Sequence, residues 1–461
     1  MRWSRGNFFA ALCLSLLFIV PLVCTSCGGG GAGTTKVVDS VSASDVPQLG
    51  LNFIRFFWPK GRGASMDTTT PFLQPAAIFK DFDELGAQCY RQFVRADLLW
   101  NVVEPQAGKW DFTAADAVLK SGGSTPIVTL FANQYASPTP PWYGQADTFQ
   151  KTLGNEAKVY LSIVVDRYGK YVKYWELGNE MSHWRAADPG DARARREKLP
   201  ACLPADGFSP AEQGRFFAEA ASFIRERDAD AVIVMPGMPG FSDYEFDTWL
   251  PGVIGAAGAN TFDVVTYHYY GDWSRYAQGR AELSSAANEL GLSGKPVWNT
   301  ETGSTASPTL TIRTDYPNSP ESQAADVFRR IVQSYAAGDS LVCWHTYISS
   351  EDNARNDWRL YGLLTADGTR LPSYYSFKLL GNELVPFEKV EKVAASGQYV
   401  FKVTRSDGGV RYVAWGDGSL NVPQGMTSSA SVVGGASGDI AWRPATAGRS
   451  LTLSEVPVLL K

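Results

Sequence analysis

Eight short runs of apolar, β-branched and aromatic residues recur along this chain with helix-like stretches between them, and that alternation narrows the choice of fold more than any other feature. The runs read as strands are Leu51 to Phe57, Tyr90 to Ala96, Pro126 to Phe131, Val172 to Leu177, Ala231 to Met235, Asp263 to Tyr269, Lys295 to Thr300 and Ser340 to His345. Between them, segments such as Asn155 to Tyr168 and Ala211 to Arg227 repeat aliphatic and aromatic residues at three- and four-residue spacing, as helices packed on a sheet do. Strand and helix alternating eight times over roughly 300 residues predict a (β/α)8 TIM barrel. A doubly wound open α/β sheet uses the same alternation and is the competing arrangement.

Past Leu384 the texture changes. Gln398 to Thr404, Val410 to Trp415, Ser431 to Val433, Asp439 to Trp442 and Leu451 to Leu453 are short strand-like runs separated by Asp-Gly, Gly-Gly and Gly-Asp pairs. They predict a small C-terminal β-sandwich over 384–461, following a barrel over 46–383. Lys36 to Val41 is β-prone as well and is a candidate to complete that sandwich. At the other end, Arg2 and Arg5 precede an almost wholly apolar stretch from Phe8 to Val23, the charged head and apolar core of an export signal. Cys24-Thr25-Ser26-Cys27 and four glycines follow. This resembles a bacterial lipoprotein signal, which implies acylation at Cys27, a flexible tether over 28–45, and a location on the cell envelope reached by export.

Composition excludes several classes. With 42 basic against 47 acidic residues the net charge is −5, so no domain-wide positive field exists for a nucleic-acid backbone. The apolar share of 44% is ordinary for a globular chain, and a single long apolar run argues against a multispan membrane protein. Contact with a membrane is expected through the lipid anchor alone. Cys89, Cys202 and Cys343 show no disulfide spacing, and Cys89 and Cys343 lie in apolar runs as small buried hydrophobes would. No His-x-His occurs, Gly294-Lys295 runs into Pro296 rather than a P-loop, and the Gly28, Gly30, Gly33 spacing lacks a preceding strand. Neither metal nor cofactor is expected, and oligomeric state has no signature in the sequence.

The loops after the strands of such a barrel meet on one face, so functional residues should gather there. All three histidines, His183, His268 and His345, fall at or just past the expected ends of the fourth, sixth and eighth strands. Trp58, Trp100, Trp142, Trp184, Trp273, Trp344 and Trp358 are expected on that face too, and aromatic faces stack on the C–H faces of sugars. Trp175 and Trp298 read as core. Two glutamates stand at strand ends, Glu180 in Trp175-Glu176-Leu177-Gly178-Asn179-Glu180 and Glu301 in Asn299-Thr300-Glu301-Thr302-Gly303. Three strands apart in a closed ring, they would face each other across the mouth. One protonated and one ionised carboxyl group in an aromatic cleft is the equipment for breaking a glycosidic bond.

Over about residues 49 to 383 the sequence resembles clan A of the glycoside hydrolases. The resemblance implies that Glu180 is the general acid/base and Glu301 the nucleophile of a retaining β-glycosidase acting on a poly- or oligosaccharide. It further implies that Asn179 meets the sugar 2-hydroxyl and that His268 and Tyr270 form the clan's His-x-Tyr on the sixth strand. Trp344 would floor the sugar site, and Arg95 would be the strand-two arginine that keeps the nucleophile charged. Asn133, Trp100, Trp184 and Trp273 are further expected sugar contacts, while Glu104, in the clan-like loop Trp100 to Gly108, is expected to be structural. The chain departs from the clan at Met181, where many members have proline, and no single family's pattern fits. The insertion Arg185 to Phe208 carries Arg193, Arg195, Arg196 and Lys198 among acids of its own and reads as a solvated lid. The rival reading is a glycan-binding lipoprotein on a non-catalytic barrel.

Overall fold

The computed structural model describes residues 46–52, 70–92, 98–131, 140, 142–143, 153–183, 209–307, 318–349, 360–393, 397–434 and 440–461. Eight parallel strands form one sheet: β1 (Leu49–Asn52), β2 (Cys89–Gln92), β3 (Thr125–Thr129), β4 (Tyr174–Glu176), β5 (Val232–Val234), β6 (Val265–Tyr269), β7 (Val297–Thr302) and β8 (Leu341–His345). Each falls on one of the eight predicted runs. Neighbours pair in the order β5-β4-β3-β2-β1-β8-β7-β6. Parallel bridges from Val234 to Val264 and from Met238 to Tyr267 join the two ends. The sheet therefore closes into a barrel, which rules out the open doubly wound alternative.

Strand parity explains what fills the barrel. Cys89, Ile127, Tyr174, Val234, Trp298, Leu341 and Cys343, drawn from six of the strands, pack with Val264, just before β6, as one buried cluster. On β1 the corresponding residue is Gly50, where a Cβ would lie 2.5 Å from Cys89 Sγ and 2.8 Å from Cys343 Sγ, so only glycine fits. Two residues further along a strand point the same way. That step leads from Gly50, Cys89, Ile127, Tyr174 and Cys343 to Asn52, Arg91, Thr129, Glu176 and His345, an apolar floor beneath a polar layer.

Helices surround the barrel where the periodicity predicts them. Asn155–Tyr168 coincides with its predicted stretch, and Pro210–Arg227 starts on a capping box in which Ser209 and Glu212 satisfy each other's backbone N–H. Among the described residues no helix is long and apolar enough to cross a membrane.

After the helix Pro372–Leu384, strands β9 (Phe387–Lys392), β10 (Gln398–Arg405), β11 (Val410–Gly416), β12 (Ser419–Asn421), β13 (Ser428–Ser431), β14 (Arg443–Pro444), β15 (Ser450–Thr452) and β16 (Val458–Leu460) make a six-stranded antiparallel sheet and a β12–β15 pair. Leu420 and Leu451 of the pair pack with Tyr412 and Val458 of the larger sheet, giving a small sandwich. β9 was not anticipated because its residues are mostly charged and it lies at an exposed edge. β16 was missed as well, and the third and fourth expected runs are displaced to Ser428–Ser431 and Arg443–Pro444. Trp415 is buried, stacked on Tyr399 and Phe401, and belongs to the core. Cys27 and Lys36 to Val41 lie outside the described residues.

Candidate active site

A buried arginine organises the polar layer. Arg91 on β2 donates from Nε to Glu176 Oε2 at 2.7 Å and from Nη2 to Glu176 Oε1 at 3.0 Å. Its Nη1 donates to Glu301 Oε1 at 2.7 Å, and Nη2 also reaches Asn179 Oδ1 at 2.7 Å. Thr129 donates to Glu176 as well. One fully buried guanidinium thus gathers side chains from β2, β4 and β7, the fork geometry that lysine lacks.

Glu301 reaches this layer because β7 is bulged. Trp298 faces the barrel interior, so simple alternation would turn Glu301 outward with Asn299. The pairing with β6 instead slips by one residue, from Tyr267 opposite Asn299 to His268 opposite Glu301. The extra residue re-aims the side chain. Tyr270 then donates to Glu301 Oε2 at 2.6 Å, while His268 Nδ1 and His345 Nδ1 lie 3.8 Å and 3.9 Å from that oxygen. Burial pushes the Glu301 carboxyl up, but His268, Arg91 and His345 outweigh it and hold the group below the ordinary glutamate range, with Glu180 opposing them. Burial, with the adjacent Glu301 charge, raises the Tyr270 phenol far above its usual value, so it stays a donor.

Glu180 is delivered by a tight turn after β4. Gly178 has φ of 123° and Glu180 a φ of 48°, the left-handed region, where a non-glycine residue costs about 1–2 kcal/mol. Glu180 N–H donates to Gly237 O at 3.1 Å, which anchors the turn to the segment after β5. The carboxylate shares a 3.0 Å hydrogen bond with His268 Nδ1. Gly237 backs that imidazole so closely that a Cβ would lie 2.1 Å from Nε2. Glu180, His268 and Glu301 each offer one atom within 4.8 Å of the other two. Three such groups suit a divalent cation, but the Arg91 guanidinium bonded to Glu301 sets a fixed positive charge against one.

The structure brings together Glu180, Glu301, Asn179, His268 and Tyr270. Among the described residues the arginine bonded to Glu301 is Arg91; Arg95, Asn133 and Trp184 lie outside the described residues. Trp344 does not line the site: it is fully buried, on the opposite parity from Cys343 and His345, and packs in the main core. His345 faces Glu301 in its stead. Trp100 is also buried, stacked on Tyr160 and donating to Glu104 Oε2 at 2.7 Å. Glu104 accepts from Gly108 N–H at 2.7 Å too and is structural. Trp273 is buried against Tyr399 and Trp415 of the sandwich rather than open to a sugar. Trp175 and Trp298 are core, as expected. Sequence reasoning missed Arg91 and Glu176, and it placed His345 on this face without giving it a role. The available signal was a charged residue inside an apolar strand run, which demands a buried partner.

No family model matches the chain, and no curated protein does. Solved structures do. A family 39 glycoside hydrolase from Bacteroides cellulosilyticus WH2 superposes with a TM-score of 0.61 at 18% identity, over 90% of this chain and 80% of the other. The two chains share the barrel fold. Within that fold, a glucosidase from Croceicoccus marinus matches with a TM-score of 0.58 at 13% identity, over 89% of this chain and 94% of its own. A family 51 α-L-arabinofuranosidase, AbfB from Bifidobacterium longum, matches with a TM-score of 0.58 at 13% identity over 92% and 97%. Their names cover different sugars, so the likeness is one of fold and does not select a substrate.

Proposed function

We propose that this chain is a retaining glycosidase that cleaves β-linked poly- or oligosaccharides by double displacement. The observation that carries the reading is the meeting of Glu180 and Glu301, with oxygens within 4.8 Å, beside a buried arginine that bonds Glu301 and favours its charged form. Retaining enzymes hold the pair about 5–5.5 Å apart and inverting ones about 6.5–9.5 Å, so the short spacing supports a covalent route. Glu301 attacks the anomeric carbon as the bond to the departing oxygen breaks, and Glu180 gives its proton to that oxygen. Glu180 then takes a proton from water, the water oxygen bonds to the anomeric carbon, and the Glu301 ester bond breaks. Asn179, next to Glu180 in the chain and bonded to the same Arg91 as Glu301, would meet the sugar 2-hydroxyl.

The test is turnover of 4-nitrophenyl β-D-glucoside, β-D-xyloside, β-D-galactoside, β-D-mannoside and α-L-arabinofuranoside, backed by reducing-end release from a polysaccharide panel. Activity abolished in Glu301→Gln is expected. Azide should rescue Glu301→Ala with inverted product and Glu180→Ala with retained product. Identical behaviour of the two variants would overturn the roles, and binding without turnover would favour a glycan-capturing protein.

We further propose export and lipid anchoring through Cys27, the sandwich serving as an accessory domain. Labelled palmitate should enter the full chain expressed in a bacterium and not its Cys27→Ala variant; label in both would refute the anchor.

A further inference from the structure

On the far side of β7 from the pocket, one buried hydroxyl spans the bulge that aims Glu301. Tyr276 opens the helix Tyr276–Glu289, and its Oη lies 2.6 Å from Thr302 Oγ1. Thr302 spends its own proton on Tyr269 O at 2.9 Å, an oxygen that Tyr276 Oη reaches only at 3.4 Å, so the Tyr276 proton is assigned to the 2.6 Å pair with Thr302. Asn299 donates from Nδ2 to the same Tyr276 oxygen at 3.3 Å and to Ser334 Oγ at 3.3 Å. Asn299 is the last residue in register before the slip, and Thr302 follows Glu301 after it. All of these residues are buried, Tyr269 the least so at 8% exposed.

We propose that the Tyr276 hydroxyl is a positioning group for Glu301: by accepting from Asn299 and donating to Thr302 it pins both ends of the β7 bulge at the curvature that sends the carboxylate between Arg91 and Tyr270. The proposal rests on Glu301 being the nucleophile. A bulge leaves one residue outside the ladder, so its shape must be held by side chains, and here the ladder with β8 pairs nothing between Asn299 and Thr302. The groups facing Glu301 are Arg91 from β2, Glu180 from the turn after β4, His268 and Tyr270 at the end of β6, and His345 from β8. A relaxed bulge withdraws the carboxylate from the 2.7 Å arginine and 2.6 Å tyrosine contacts while leaving it buried, which favours its protonated form.

Tyr276→Phe removes the oxygen and keeps the ring, which meets Tyr269 edge-on at 5.0 Å. On whichever of the 4-nitrophenyl glycosides above the wild type hydrolyses, kcat should fall about 10- to 100-fold with KM little changed. The acid limb of kcat/KM should move to higher pH. Thr302→Val should reproduce both effects, and the double variant should be no worse than either, as one shared bond requires. Tyr160→Phe, which also loses a fully buried O–H bond, from Oη to Leu98 O at 2.6 Å, serves as the structural control: it lowers Tm without moving the acid limb. Carboxyl 13C titration of Glu301, assigned by its loss in Glu301→Gln, reads the same shift with no substrate, so the positioning role is judged even if no glycoside is cleaved. An unmoved Glu301 titration in both Tyr276→Phe and Thr302→Val overturns it.

Discussion

Arg91 donates to Glu301 Oε1 at 2.7 Å with one edge of its guanidinium while the other grips both oxygens of Glu176. A single cation is shared by two buried carboxylates, and both depend on it. Arg91→Met should destabilise the fold by about 3–5 kcal/mol, because it strands two buried charges. Arg91→Lys keeps the charge but not the fork. It should fold and lose about 10²–10³ in kcat/KM, measured against denaturant midpoints that separate activity from stability.

The lowered Glu301 carboxyl sets the acid side of the pH profile. The acid limb of kcat/KM should lie below about 4.3, the ordinary glutamate value. The stability sign follows from the same direction. The contribution of this group is fully present above its unfolded pKa and is lost as pH falls through the lower folded one. A limb above the ordinary value would show that the surrounding cations do not control the group.

Gly237 has no room for a side chain behind His268. Gly237→Ala should push the imidazole off Glu180, cost about 1–3 kcal/mol as overpacking, and reduce kcat. Gly255→Ala, in the helix Leu250–Ala257 with open space at its Cβ, should be neutral or stabilising by about 0.5–1 kcal/mol. Thermal melts of the two variants check the contrast.

Trp344 and His345 are neighbours with opposite duties. Trp344→Phe should lower Tm through a core cavity and leave KM unchanged, whereas His345→Ala should alter kcat/KM with a smaller loss of Tm. Steady-state kinetics and melting on both variants decide it.

Glu383, at the end of the last barrel helix, accepts from Arg411 Nε at 3.0 Å and Lys461 Nζ at 2.6 Å, both in the sandwich. Partial burial raises its carboxyl, but Lys461 and Arg411 prevail and lower it. Its stabilisation is present above the unfolded pKa and fades as pH falls through the folded one. Glu383→Gln should cost about 1 kcal/mol at pH 7 and little at pH 3, read from melts at the two values.

The eight barrel strands were legible because each falls in a short run rich in apolar, β-branched and aromatic residues between polar turns. Strand β9 was not, since a charged edge strand carries no such run. Glu180, Glu301, His268 and Tyr270 were legible as residues because they stand at strand ends. Trp344, Trp100 and Trp273 were misread, because an aromatic residue at a strand end looks the same in sequence whether it faces a pocket or a neighbouring layer.

Strand count, helix spacing and the two glutamates belong to the sequence alone, because periodicity and turn chemistry act over a few residues at a time. Which arginine meets Glu301, which way Trp344 and His345 point, and how a one-residue slip in β7 turns Glu301 inward were settled by the closed barrel. Those outcomes depend on contacts between strands far apart in the chain, where a shift of one residue reverses the face and no local pattern records it.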